Sequence, residues 1–253
     1  MGRVVVVTAV HGPSAFHLPD AWESLKGQEL PPGWEWQWVI QEDGESDDVA
    51  PHVPRDDRVS FGQGRAGGPG VARTLALSRV SQDVDLVRVL DADDMLTPGA
   101  LSRDVAVLSS RPHLGWTTAK VLDLLPDGST VGFDQDPPEG AVERGAVLEH
   151  WQAHDYRAQV HPATLCVRRH LLAALGGWTA LPASEDTGLL LALDAVAEGW
   201  FHGEPGLLYR KWPGQATSQP QHAQTVERDA RMAVVEARAK ALRHMRWQYP
   251  PNE

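Results

Sequence analysis

The chain of 253 residues carries a single cysteine, Cys166, so no intrachain disulfide framework can hold it together. Cys166 lies in the apolar stretch Thr164-Leu165-Cys166-Val167, the setting of a buried structural thiol. Positive charge is also scarce. Lys and Arg number 23 against 34 Asp and Glu, a net charge of −11. Proteins that grip a phosphate backbone favour a basic face, so nucleic acid is excluded as the expected partner. A mononucleotide is not excluded, because it needs only a local cationic pocket. Long apolar runs are missing too. Arg3 is followed by the short run Val4-Val5-Val6-Val7, too brief for the core of a secretory leader, and nothing reaches the length of a membrane span. The expectation is a soluble, cytoplasmic protein with no transmembrane segment.

What is present is a core-forming chain, 42% hydrophobic, of a length that suits one large α/β domain. Its most informative stretch is Leu86-Val87-Arg88-Val89-Leu90-Asp91-Ala92-Asp93-Asp94-Met95. An apolar run with the character of a buried strand stops in three carboxylates. The C-terminal ends of strands are where open α/β sheets bind ligands. Crowded like charges repel, and a divalent cation carrying phosphate oxygens would balance them. The plainer alternative is a solvated acidic turn before a helix, with Thr97 as N-cap and Pro98 at the first helical position.

The remaining pattern supports this architecture. Strands are predicted over 3–8, 34–41, 58–61 and 86–90, and helices over 21–25 and 71–80. A Gly-rich loop spans 62–70, and Leu101, Val105 and Leu108 form a helical stripe. Trp36, Trp38 and Ile40 alternate with Glu35, Gln37 and Gln41, which assigns these tryptophans to the core. Such βαβ alternation implies a mostly parallel sheet with right-handed crossovers, whose loops after Thr8, at Asp43 and at Asp91–Asp94 share one rim. Further on, strands are predicted over 116–125, 129–133 and 161–167. Helices are predicted over 169–175, closed by Gly176-Gly177, over 185–198 with Ser184 as cap, and over 221–245 as an amphipathic C-terminal helix. His161, before Pro162, reads as a structural group. Trp178 is divided between core packing and stacking on a sugar.

The order of these pieces resembles family two of the glycosyltransferases, inverting enzymes with the GT-A fold, over residues 3–217. The carrying motifs are the first apolar strand, Glu42-Asp43-Gly44-Glu45, Gly70-Val71-Ala72-Arg73-Thr74, Leu90-Asp91-Ala92-Asp93-Asp94 with Pro98, Gly176-Gly177, Glu185-Asp186 and Tyr209-Arg210. The resemblance implies one GT-A domain, with a nucleotide-sugar-binding half at 1–115, an acceptor-binding half at 116–220 and the helix at 221–245. It implies Asp186 as the base, with Glu185 beside it to orient the acceptor, and Asp93 and Asp91 as ligands of Mn²⁺ or Mg²⁺. Asp91 could instead reach the donor ribose, while Asp94 positions its neighbours. Thr8 and Asp43 are implied at the nucleotide base, Arg73 at the base or a phosphate, and Arg210 and Lys211 closing over the diphosphate. An acidic side chain can accept a proton from uracil N3, which favours a UDP-linked donor; the acceptor is not specified. The chain departs from the family in two ways. Thr74 replaces the usual Asn, and Lys211-Trp212-Pro213 stands where many members have a metal-binding His, leaving His202 and His222 as the nearest substitutes. Arg243 before Arg246-Trp247 also breaks the Gln-x-x-Arg-Trp signature of processive synthases. The alternatives are a non-catalytic nucleotide-sugar-binding relative, or a sugar-nucleotide pyrophosphorylase. The latter is disfavoured because His11-Gly12-Pro13-Ser14 lacks the basic Gly-rich signature.

Overall fold

The computed structural model describes residues 1–215, 225–245 and 247–250. Its frame is a ten-stranded sheet built outwards from β1 (Gly2–Val10). β2 (Trp34–Glu42) lies parallel on one side of β1, with β3 (Val59–Gly62) beyond it, and β4 (Leu86–Val89) lies parallel on the other. The sheet continues through β9 (Cys166–Arg168), β6 (Leu114–Leu124), β10 (Glu198–Arg210) and β5 (Met95–Leu96). β9 runs antiparallel to both its neighbours, and β6 and β10 then form a second long parallel pair. The short strands β7 (Thr130–Val131) and β8 (Gly140–Val142) pair with β6 and β10.

Alternation along the strands makes the sheet two-sided. Val4, Val6, Trp36, Trp38 and Ile40 face one core layer with α1 (Leu18–Lys26) and α3 (Ala100–Ser110). Within it the Trp22 ring stacks on Trp38 at 6.0 Å. Val5, Val7, Val39 and Val87 face the other layer. That layer holds α2 (Pro69–Ala76), α4 (Ala146–Ala153), α5 (Arg169–Ala174), α6 (Glu185–Val196) and α7 (Thr225–His244). Among the described residues no helix is long and apolar enough to cross a membrane.

Several boundaries differ from the sequence expectation. After the acidic cluster the chain forms β5, and α3 starts behind Gly99 at φ 75°. Thr97 is therefore no cap: its hydroxyl donates to the Pro205 carbonyl, tying β5 to the β10 bulge. Ser184 precedes α6 in a left-handed conformation and makes no side-chain cap. The stretch 161–165 is a single helical turn before β9, not a strand. The start of the predicted C-terminal helix and His222 lie outside the described residues.

Candidate active site

β1, β2 and β4 run parallel, so their C-terminal ends open on one rim, as the βαβ reading requires. The polar group that binds these ends together is Thr8. Its buried hydroxyl donates to the Leu90 carbonyl at 2.7 Å and accepts the Trp38 indole N–H at 2.8 Å. Thr8 is spent on that junction and does not line the cleft that opens above it. The cleft has a volume of about 670 Å³ and is walled by the ends of β1, β4 and β10, the start of α6 and the near face of α7.

The Gly-rich loop is anchored to the end of β2. Asp43 accepts the amides of Gly67 at 2.6 Å and Gly68 at 3.0 Å. Gly70 then opens α2 against α6, where a Cβ would lie 2.6 Å from the Thr179 carbonyl and 2.7 Å from Glu185 Cγ. Only glycine permits that approach, and it brings Arg73 within reach of α6. Buried Arg73 donates to Glu185 at 2.7 Å and to Asp91 at 2.5 Å. Burial alone would lower its pKa, but Asp91, Glu185 and Asp186 outweigh that and hold it above the ordinary value. The positive charge expected beside the acidic cluster is thus partly supplied by the protein.

Asp93 lines the cleft and accepts the Trp212 indole N–H at 2.6 Å. Burial, reinforced by Asp91 and opposed by that indole, raises its pKa. Asp94 is buried, taking the Arg210 amide at 2.9 Å on one oxygen while the other finds no partner among the described residues. Burial first, and then the neighbouring Asp91 and Asp93, push its pKa well up. Asp91 and Asp93 line the cleft with oxygen ligands of the kind that suits Mg²⁺ or Mn²⁺, which would need water and phosphate to complete its shell, while Asp94 does not line it. Among the described residues no three His, Cys, Asp or Glu side chains converge as a protein-only cage. His202 is not a substitute ligand, because its ring pairs with buried Asp104 at 3.4 Å inside the core.

Glu185 and Asp186 open α6 and line the same cleft. Glu185 is committed to Arg73. Asp186 accepts the Thr187 amide at 2.6 Å on one oxygen. Burial raises the pKa of both carboxyls, against the pull of Arg73. The structure therefore brings Asp43, Arg73, Asp91, Asp93, Glu185 and Asp186 into one cleft.

Arg210 and Lys211 are placed elsewhere. Arg210 pairs with Asp20 at 2.7 Å, and Lys211 with Asp123 at 3.1 Å while lying over the Tyr209 ring. Carboxylates far away in sequence reach them first, and neither lines the cleft. Trp178 is core, its ring 6.0 Å from the Arg73 guanidinium. Among the cleft residues given no site role from the sequence are His161, and Glu227 and Arg231 from α7. His161 carried a local signal, a histidine beside a proline at a strand entry. The two α7 residues carried none beyond helical spacing.

No family model matches the chain. No curated protein matches it. Solved structures do. Residues 1–349 of the glycosyltransferase TarS from S. aureus align with 97% of this chain and 70% of that one, at 16% identity and a TM-score of 0.67. The same fragment in complex with UDP-GlcNAc gives 17% identity, a TM-score of 0.68 and coverage of 97% and 71%. A longer TarS structure gives 15% identity and a TM-score of 0.65 over 98% of this chain, which spans 44% of its length. At such identities the likeness is one of fold, and the fold is a GT-A-like glycosyltransferase fold.

Proposed function

We propose that this chain is an inverting glycosyltransferase that moves a sugar from a UDP-linked donor to a nucleophilic acceptor. The observation that carries the reading is one cleft lined by two carboxylate sets that Arg73 bridges. Asp91 and Asp93 stand at the end of β4, and Glu185 and Asp186 at the start of α6. The fold is shared with a protein whose structure was solved with UDP-GlcNAc. Residues 1–115 supply the donor half and 116–220 the acceptor half.

In the proposed reaction Asp186 removes the proton from an acceptor hydroxyl or amine as that atom attacks the anomeric carbon. The carbon–oxygen bond to the diphosphate breaks, and its electron pair leaves with the nucleotide. One displacement inverts the carbon. Burial makes Asp186 a stronger base than a solvated carboxylate. Asp43 accepts from the uracil N3–H while also holding the Gly-rich loop, and Arg73 bridges Glu185 and Asp91. Mn²⁺ or Mg²⁺ held by Asp93 and Asp91 would act as a Lewis acid on the leaving diphosphate.

The test is Asp186→Asn, which keeps the size of the side chain but not its basicity. Transfer should fall by about 10²–10⁴ with donor binding unchanged. Near-normal turnover, or a product that retains the donor configuration, would remove this mechanism.

A further inference from the structure

His161 has a role that its neighbours in sequence do not announce. It opens the helical turn Pro162–Thr164, and that turn is pinned: Thr164 Oγ1 donates to the His161 carbonyl at 2.7 Å and accepts the Ala119 amide of β6 at 3.0 Å. The ring is held from two further sides. Its Nδ1 accepts the Ala163 amide at 3.3 Å, and its face tilts against Tyr209 at 5.2 Å. With Nδ1 as acceptor, the imidazole proton sits on Nε2. Burial lowers the pKa of the ring; Asp91, Asp123 and Asp136 act in the opposite direction and Lys211 reinforces burial. The ring is therefore an uncharged donor.

Nε2 has no hydrogen-bond partner among the described residues, yet it is not among the sealed, unsatisfied atoms of the interior. His161 lines the cleft that also carries Asp91, Asp93 and Asp186. A rigid imidazole on the wall of such a cleft, with an N–H that no group of the described residues accepts, is suited to a ligand. The stronger donors nearby are engaged: Arg73 on Asp91 and Glu185, the Trp212 indole on Asp93, and Arg231 on Glu227. A diphosphate calls for positive charge, which His161 does not carry. A sugar hydroxyl can donate to the surrounding carboxylates and accept an N–H on its own oxygen, for which an uncharged donor suffices.

Building on the transferase reading above, we propose that His161 contacts the transferred sugar, its Nε2–H donating to a sugar hydroxyl. His161 is then a determinant of which sugar is accepted, since a site that hydrogen-bonds a hydroxyl rejects donors lacking it. The test is calorimetric titration of wild type, His161→Phe and His161→Gln with UDP, UDP-glucose and UDP-N-acetylglucosamine in Mn²⁺. Melting curves would confirm that each variant folds. The Phe ring keeps the packing on Tyr209 but donates nothing. It should leave the UDP Kd within about twofold and weaken the sugar nucleotides by about tenfold. His161→Gln, whose amide still donates, should recover most of that loss. If His161→Phe does not fold, His161→Asn provides the same comparison, because its amide stops short. Equal losses for UDP and for the sugar nucleotides, no loss for either, or a loss confined to the acceptor KM would each overturn the assignment. Wild type that bound none of the three nucleotides would remove the donor-binding reading itself.

Discussion

Arg73→Met tests the arrangement on which the whole cleft depends. The substitution keeps most of the volume and removes the charge. The Arg73 and Glu185 side chains are each 6% exposed, whereas Asp91 is 27% exposed. The Glu185 contact is thus a buried pair, and breaking one by removing a partner costs about 3–5 kcal/mol. The Asp91 contact, wetter and screened, adds at most about 1 kcal/mol. Urea unfolding should show a loss of about 3–5 kcal/mol, a fall in Tm of roughly 6–20 °C for a chain of this size. The loss should depend on pH. Without Arg73 the folded-state pKa of Glu185 rises further above its unfolded value. The native state then binds the proton more tightly, so stability is present at low pH and lost as pH rises through that raised pKa. The deficit relative to wild type should therefore shrink as pH falls from 7 towards 5. Glu185→Gln in the same background should restore part of the loss, because it removes the orphaned charge, and the cycle should give a coupling of about 2 kcal/mol or more. Additive losses, or an Arg73→Met deficit below about 1 kcal/mol at pH 7, would refute the pair as the link between α2 and α6.

Four further outcomes follow from the site. Because burial raises the Asp186 pKa, the acid limb of the transfer rate should lie above the ordinary carboxylate range, the rate falling as pH drops through it; a pH–rate profile of kcat/KM for wild type measures it. Asp93→Ala should abolish the Mn²⁺-dependent part of any thermal shift given by UDP without lowering the Tm of the free protein, as read by scanning fluorimetry. Asp43→Asn should weaken UDP more than ADP, and equal losses would leave Asp43 only its loop contacts to Gly67 and Gly68. Asp194 accepts the buried amides of Gly145, Val147 and Leu148 at the start of α4, so Asp194→Ala should cost about 2–4 kcal/mol by chemical denaturation with little effect on donor affinity.

The parts of this molecule that were legible in its sequence are those where burial and local pattern coincide. The run Val4–Val7 and the alternation through Trp36, Trp38 and Ile40 placed two neighbouring strands, because two-sided burial leaves a local trace. The carboxylates at Asp43, Asp91 and Asp93 sit where strands end, and strand ends are read from a few adjacent residues. β10 was not legible. Gly203, Pro205 and Gly206 interrupt its alternation, and its register against β6 shifts in the same place. The fates of Arg210 and Lys211 were hidden for another reason. Their partners Asp20 and Asp123 lie far along the chain, so a basic pair next to a motif looked available for phosphate.

The same distance effect explains why Arg73 was assigned to a base or phosphate although it bridges two carboxylates. Its bond to Glu185 spans 112 positions. The clue to that bond was present but indirect. At Gly70 any side chain would strike Thr179 and Glu185, so the helix that carries Arg73 can meet α6 only if that position stays glycine. A Gly70→Ala substitution should therefore act at the cleft and not in the loop. It should push α2 from α6, stretch the Arg73–Glu185 contact and reproduce a large part of the Arg73→Met deficit. The two substitutions should be strongly sub-additive, because each removes the same interaction. Full additivity would show that Gly70 serves only the turn of the loop, and that the approach of α2 to α6 is maintained by other contacts.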